Sequence, residues 1–144
     1  MRNILSFSNL IAVMSILSVL IVSCNQNEVA TQKAIADKKA VGRWNLVGIT
    51  SGWTGKTNPP IDNVELAIDQ QQKAVIYENG KEMLTFQYSL EETKSGLVRY
   101  SITQKAGNSP IFYPPSRGNF RVNTKQLIIG DTGADGNDYT FTRD

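Results

Sequence analysis

Hydrophobic and polar positions fall into two regimes. From Ile4 to Val22 the chain is apolar with interspersed serines, and it is densest over the 13 residues Leu10–Val22. From Val41 onward, short runs of Val, Ile, Tyr, Phe and Thr are separated by Gly, Pro, Asn and Asp. Alternation is clearest in the run Glu82–Leu90, where Leu84, Phe86, Tyr88 and Leu90 interleave with Met83, Thr85, Gln87 and Ser89. A period of two puts the first set on one face of a strand, and a helix does not sustain it. The other runs are Val41–Thr50, Val64–Asp69, Lys73–Glu78, Leu97–Thr103, Asn119–Val122, Lys125–Gly130 and Asp138–Arg143. Asn79-Gly80, between the third and fourth runs, is a two-residue hairpin signal.

About eight short strands at this spacing predict an all-β domain, most simply an up-and-down antiparallel β-barrel; a small β-sandwich is the alternative. Barrel closure is favoured because it removes exposed edges. Two connections are long. Ser51–Asp62 carries two glycines and a Pro-Pro pair, and Gln104–Gly118 carries three prolines and two aromatics. Structureless loops of this length are commonly functional.

The 13-residue apolar stretch fits the core of a signal peptide better than a membrane span of about 20 residues. It ends at Ser23, immediately before Cys24, the single cysteine of the 144-residue chain. Ile21-Val22-Ser23-Cys24 resembles the lipobox of bacterial lipoproteins. The resemblance implies a diacylglyceryl thioether on Cys24, cleavage before it and acylation of the new amino terminus. Several acyl chains on one residue give stable anchoring, where one chain gives only marginal binding. The resulting division is 1–23 signal peptide, 24–40 polar tether, with a short helix possible over 29–40, and 41–144 folded domain. Asn25, with no acidic run behind it, resembles outer-membrane sorting in a diderm bacterium. The lipid bilayer is thus one expected partner.

Charge and composition narrow the chemistry. Removing the first 23 residues takes away only Arg2 and leaves 14 basic against 13 acidic residues. That balance gives no nucleic-acid footprint. With no histidine, Ser-His-Asp catalysis and His-ligated zinc are excluded. One cysteine permits no disulfide within the chain. Asp131, Asp135 and Asp138 lie in a glycine-rich stretch, but their spacing is not that of an EF-hand loop, and a solvated turn is expected. Glu91 and Glu92 are adjacent, so on a strand they point to opposite faces and share no site; Glu82, the third acid weighed for such a pair, is expected in a solvated turn. No catalytic, metal or cofactor site is expected, and the chain reads as non-enzymatic.

Gly42-Arg43-Trp44 opens the first strand, and Asp138–Arg143 closes the chain. This pair of features resembles lipocalins and related calycins, in which G-x-W begins the first strand and a basic residue packs over the indole at the closed end. The whole is similar to small lipocalin-like lipoproteins of bacteria. The resemblance implies that Gly42, Trp44 and Arg143 form that motif, with Arg143 on the same side of its strand as Tyr139 and Phe141. It also implies a small, largely apolar ligand. Candidate ligand-binding residues are Leu84, Phe86, Tyr88, Val98, Tyr100, Ile102 and Phe120 inside the barrel and Trp53, Phe112 and Tyr113 in the long loops. An eight-stranded barrel is just wide enough either to hold one small ligand or to be filled by its own side chains. In the second case the domain is an interaction module, and the loops bind another envelope protein or a glycan.

Overall fold

The computed structural model describes residues 30–143. The expected signal peptide, lipobox and Cys24 lie outside these residues, as does Asp144. The chain forms a closed, antiparallel, eight-stranded barrel with one additional short strand. The elements are α1 (Gln32–Ala40), β1 (Gly42–Ser51), β2 (Thr57–Asn58), β3 (Val64–Ile68), β4 (Lys73–Glu78), β5 (Lys81–Glu92), β6 (Val98–Gly107), β7 (Arg117–Val122), β8 (Gln126–Gly130) and β9 (Asn137–Thr142). Each strand from β3 to β9 pairs with its sequence neighbour.

Closure depends on β1 changing partner. It pairs with β3 through Gly42–Asn45 and with β9 from Asn45 to Ser51, with an irregularity between Leu46 and Gly48. A bulge bends a strand and increases its twist, which suits a strand that must serve both edges of the sheet. The sandwich alternative is thereby excluded. The β4–β5 hairpin turns at Asn79 and Gly80, whose φ angles of 50° and 80° meet the positive-φ requirement of a type I′ turn.

Alternation decides what is buried. Leu84, Phe86, Tyr88 and Leu90 of β5 point into the barrel with Val64, Leu66, Ile76, Tyr100, Phe120, Leu127, Ile129, Tyr139 and Phe141. The up-and-down topology assigns the ends. The β3–β4, β5–β6 and β7–β8 turns lie at one end, with α1. The opposite end carries the β4–β5 and β8–β9 turns and both long connections.

Four expectations need correction. The short helix expected within 29–40 forms over residues 32–40, but it packs on the domain instead of belonging to a tether: it covers one end of the barrel, Ala36 and Ala40 are buried, and Thr31 caps it by accepting a hydrogen bond from the Ala34 amide. The sixth strand runs to Gly107, well into the expected second loop, because Leu84–Gln87 of β5 pair with Gln104–Gly107. That loop shrinks to 108–116. The first loop contains the short β2, which pairs with Ile49 and Thr50. The last strand ends at Thr142, one residue short of Arg143.

Candidate functional site

At the helical end, Trp44 is fully buried. Its indole N–H donates to the Ala40 carbonyl at 2.8 Å. Arg143 lies over the ring, its guanidinium carbon 4.2 Å from the centroid. The same guanidinium donates to the carbonyls of Val41 and Thr124, each at 3.0 Å. Gly42 has φ +131°, and a Cβ there would stand 3.2 Å from an Arg143 nitrogen. The position therefore needs glycine for its backbone and for the closeness of Arg143. Gly42, Trp44 and Arg143 are thus brought together at this end, and Tyr139, Phe141 and Arg143 share one side of the chain.

The opposite end is different. Both long loops emerge there, together with the β4–β5 and β8–β9 turns. Phe112 and Tyr113, adjacent in the sequence, part company. Phe112 is fully buried, whereas Tyr113 is 64% exposed. The Phe112 ring stacks on Phe86 at 6.1 Å and meets Tyr139 and Phe141 edge-on at 4.7 and 5.6 Å. A side chain from a loop thus occupies the barrel axis. Polar contacts hold it there. Fully buried Ser109 donates to the buried Glu78 carboxylate and accepts from the Phe112 amide at 2.7 Å. The Tyr113 amide donates to the Tyr139 hydroxyl at 3.0 Å, and the Tyr100 hydroxyl donates to the Pro115 carbonyl at 3.1 Å.

The sequence-predicted residues divide accordingly. Leu84, Phe86, Tyr88, Tyr100, Phe112 and Phe120 pack on one another inside, with Tyr88 and Phe120 stacked at 5.8 Å. Val98 and Ile102 are half-buried. Ile102 borders an open groove of about 240 Å³ between β6 and the 108–116 loop, together with Lys105 and Pro114. Trp53 is 79% exposed on the first loop, and the Lys105 ammonium sits 4.6 Å from the Tyr113 ring centroid. Ile61, absent from the predicted set, is 95% exposed at the same rim. Ser109 and Glu78 were also missed. That both loops share an end was available from strand parity: each follows an odd-numbered strand of the predicted eight.

Burial pushes the phenols of Tyr88 and Tyr100 above their ordinary value; the charges of Asp37 and Asp69 add to the effect at Tyr88, and Asp131, Tyr139 and Asp138 at Tyr100. Both stay protonated and neutral in the interior. Asp138, buried on the outer side of β9, accepts from Arg121 at 2.7 Å and from the Thr132 amide and hydroxyl. Glu91 pairs with Arg117, and Glu92 accepts from the Lys33 amide. Among the described residues, every buried side-chain polar atom has a hydrogen-bond partner. The polar groups of the interior are therefore committed to one another. Comparison of the chain with protein-family models, with curated proteins and with solved structures gives no match.

Proposed function

We propose that this is a non-enzymatic, lipid-anchored protein of the bacterial cell envelope, most simply at the outer membrane. On this reading its lipocalin-like barrel is a filled scaffold, and its loop-bearing rim binds a protein or glycan partner. The observation that carries the reading is Phe112. A loop delivers this ring to the axis, where Phe86, Tyr139 and Phe141 surround it. Above this plug, Trp53, Ile61 and Tyr113 stay exposed. Aromatic side chains with apolar bodies and polar tips suit sugar faces and protein surfaces. The sequence supports the anchor through Ile21-Val22-Ser23-Cys24.

A second reading keeps the barrel as a binder of a small apolar ligand. It is favoured by the origin of the plug: Phe112 comes from a loop, so an apolar group of similar size can take its place if the loop lifts.

Two measurements test these readings. Native mass spectrometry of protein purified gently from its host separates them: a bare mass supports the filled scaffold, and an extra mass removable by organic solvent supports the ligand. A photo-crosslinker at Trp53 should capture the same partner as one at Tyr113, and one at Leu97 should not. Equal capture at all three positions counts against rim recognition. The anchor has its own test. Cys24→Ser should abolish metabolic labelling with palmitate, and persistent labelling would refute the lipobox.

A further inference from the structure

We infer that the helical end of the barrel is a seat for an anionic lipid surface, so that the domain stands on its closed end with the loop rim turned away from the bilayer. The inference rests on the acylation of Cys24 proposed above and goes beyond it, because an anchor alone fixes no orientation.

Chain length is the first argument. Seven residue steps separate Cys24 from Thr31, the cap of α1. Fully extended, they span at most about 25 Å. The domain is therefore held close to the membrane at whichever end α1 occupies. The amide of Lys33, in the first turn, donates to the Glu92 carboxylate at 3.1 Å. The chain thus enters the domain beside the tip of the β5–β6 hairpin.

Charge is the second argument. Lys38, Lys39, Lys73, Lys94 and Lys125 all lie at this end, and among the described residues none of them forms an ion pair. Among the described residues, the carboxylates at this end are already engaged. Asp37 takes Lys33 and Gln72, each at 2.5 Å. Asp69 accepts from the amides of Gln71 and Lys73 within its own turn. Glu91 is paired with Arg117, and Glu92 accepts from the Lys33 amide. The opposite rim carries Asp62, Glu82, Asp131 and Asp135 against Lys56, Lys81 and Lys105. The barrel thus has a basic pole where its tether enters and a more acidic rim. Near an anionic surface each lysine favours seating by about fivefold, the equivalent of about 1 kcal/mol.

An apolar contact completes the seat. Leu97, at the base of the β5–β6 turn that also carries Lys94, is 59% exposed. A single exposed leucine at a basic end enters the interface between headgroups and chains without committing the domain to insertion.

The test uses the mature acylated protein. A thioether-linked Cys24 does not react with a maleimide, so Leu97→Cys and Ile61→Cys each offer one labelling site. Each variant is labelled with an environment-sensitive fluorophore and reconstituted in phosphatidylcholine vesicles with or without phosphatidylglycerol, with spin-labelled lipid as quencher. Seating predicts quenching at position 97 but not at 61. The quenching should strengthen with phosphatidylglycerol and fall at 1 M salt, where the screening length is only about 3 Å. The exposed-surface variant Lys38→Glu, Lys94→Glu, Lys125→Glu should lose it. Equal signals at 97 and 61, or quenching indifferent to salt and to phosphatidylglycerol, overturns the seat. A second fluorophore on Cys24 would overturn the anchor itself, a failure separable from that of the seat.

Discussion

The Arg143 guanidinium stacks 4.2 Å above the Trp44 indole and ties the last described residue to the first strand of the barrel. Two hydrogen bonds to the carbonyls of Val41 and Thr124 fix the stacked group. One cation thus links the start of β1, the β7–β8 turn and the end of β9. Closure at this end consists of that contact and the helix above Trp44.

Loss of Trp44 is accordingly expected to be severe. Trp44→Ala should cost roughly 3–5 kcal/mol, because a fully buried aromatic leaves a cavity. Arg143→Ala removes a cation–π contact and charged hydrogen bonds at a half-buried site and should cost about 1–3 kcal/mol. Urea unfolding followed by circular dichroism measures both. A Trp44→Ala change below about 0.5 kcal/mol is the behaviour of a surface site and would refute the structural role.

Alkaline pH offers an independent probe of the interior. Tyr88 holds its proton more tightly folded than unfolded, because burial disfavours phenolate and the charges of Asp37 and Asp69 add to that effect. The unfolded chain loses the proton near the ordinary value of 10.0. Above that pH the unfolded state binds fewer protons, so stability is retained below about pH 10 and falls beyond it. Tyr88 and Tyr100 together set a limiting slope of roughly 2.7 kcal/mol per pH unit. Urea midpoints from pH 8 to 11 should show this break, and Tyr88→Phe should make the fall shallower. An unchanged slope in that variant would mean that the Tyr88 phenol is not protected.

A third test concerns close approach rather than burial. A Cβ at Gly130 would fall 2.1 Å from the Asn137 carbonyl oxygen and 2.5 Å from an Asp138 carboxylate oxygen. The backbone of the β8–β9 connection must move to admit it. Gly130→Ala should therefore cost about 1–3 kcal/mol or more. Gly96→Ala meets open space but has φ +79°, so its smaller cost of about 1 kcal/mol reports backbone strain alone. Thermal unfolding of the two variants side by side separates these causes. Equal losses would show that the contact at Gly130 relaxes freely.

The barrel was legible because β5 alternates without interruption, Asn79-Gly80 marks its hairpin, Trp44 opens the first strand, and Arg143 shares the parity of Tyr139 and Phe141 in the last. The sequence did not show where the pattern weakens. Helix α1 buries only Ala36 and Ala40, residues too small to give a strong apolar stripe; what places it is the Trp44 indole finding its acceptor at Ala40. Thr103–Gly107 is polar and ends in glycine, so only its pairing with Leu84–Gln87 of the neighbouring β5 extends β6 this far. Phe112 and Tyr113 were equal candidates for the rim. Their fates are set by Ser109 and Glu78, 31 residues apart in the chain, and no local signal encodes that contact.

The plug itself is open to direct test. Phe112→Ala should cost roughly 3–5 kcal/mol through the cavity left among Phe86, Tyr139 and Phe141. Such a cavity, apolar and about the size of one ring, stays dry and accepts a benzene-sized molecule. Toluene should therefore raise the melting temperature of Phe112→Ala and leave the unsubstituted chain unaffected, since ligand binding to the folded state alone stabilises it. Ser109→Ala separates the plug from its latch. It strips the buried Glu78 carboxylate of its donor and the Phe112 amide of its acceptor, at a cost of about 1–3 kcal/mol. Hydrogen exchange should then quicken at the Phe112 and Tyr113 amides before it quickens in β5. If Ser109→Ala lets toluene stabilise a chain that still carries Phe112, the plug is displaceable and the ligand-binding reading gains. If exchange quickens without any such stabilisation, Phe112 remains seated when its latch is cut, and the barrel functions as a solid support for its rim.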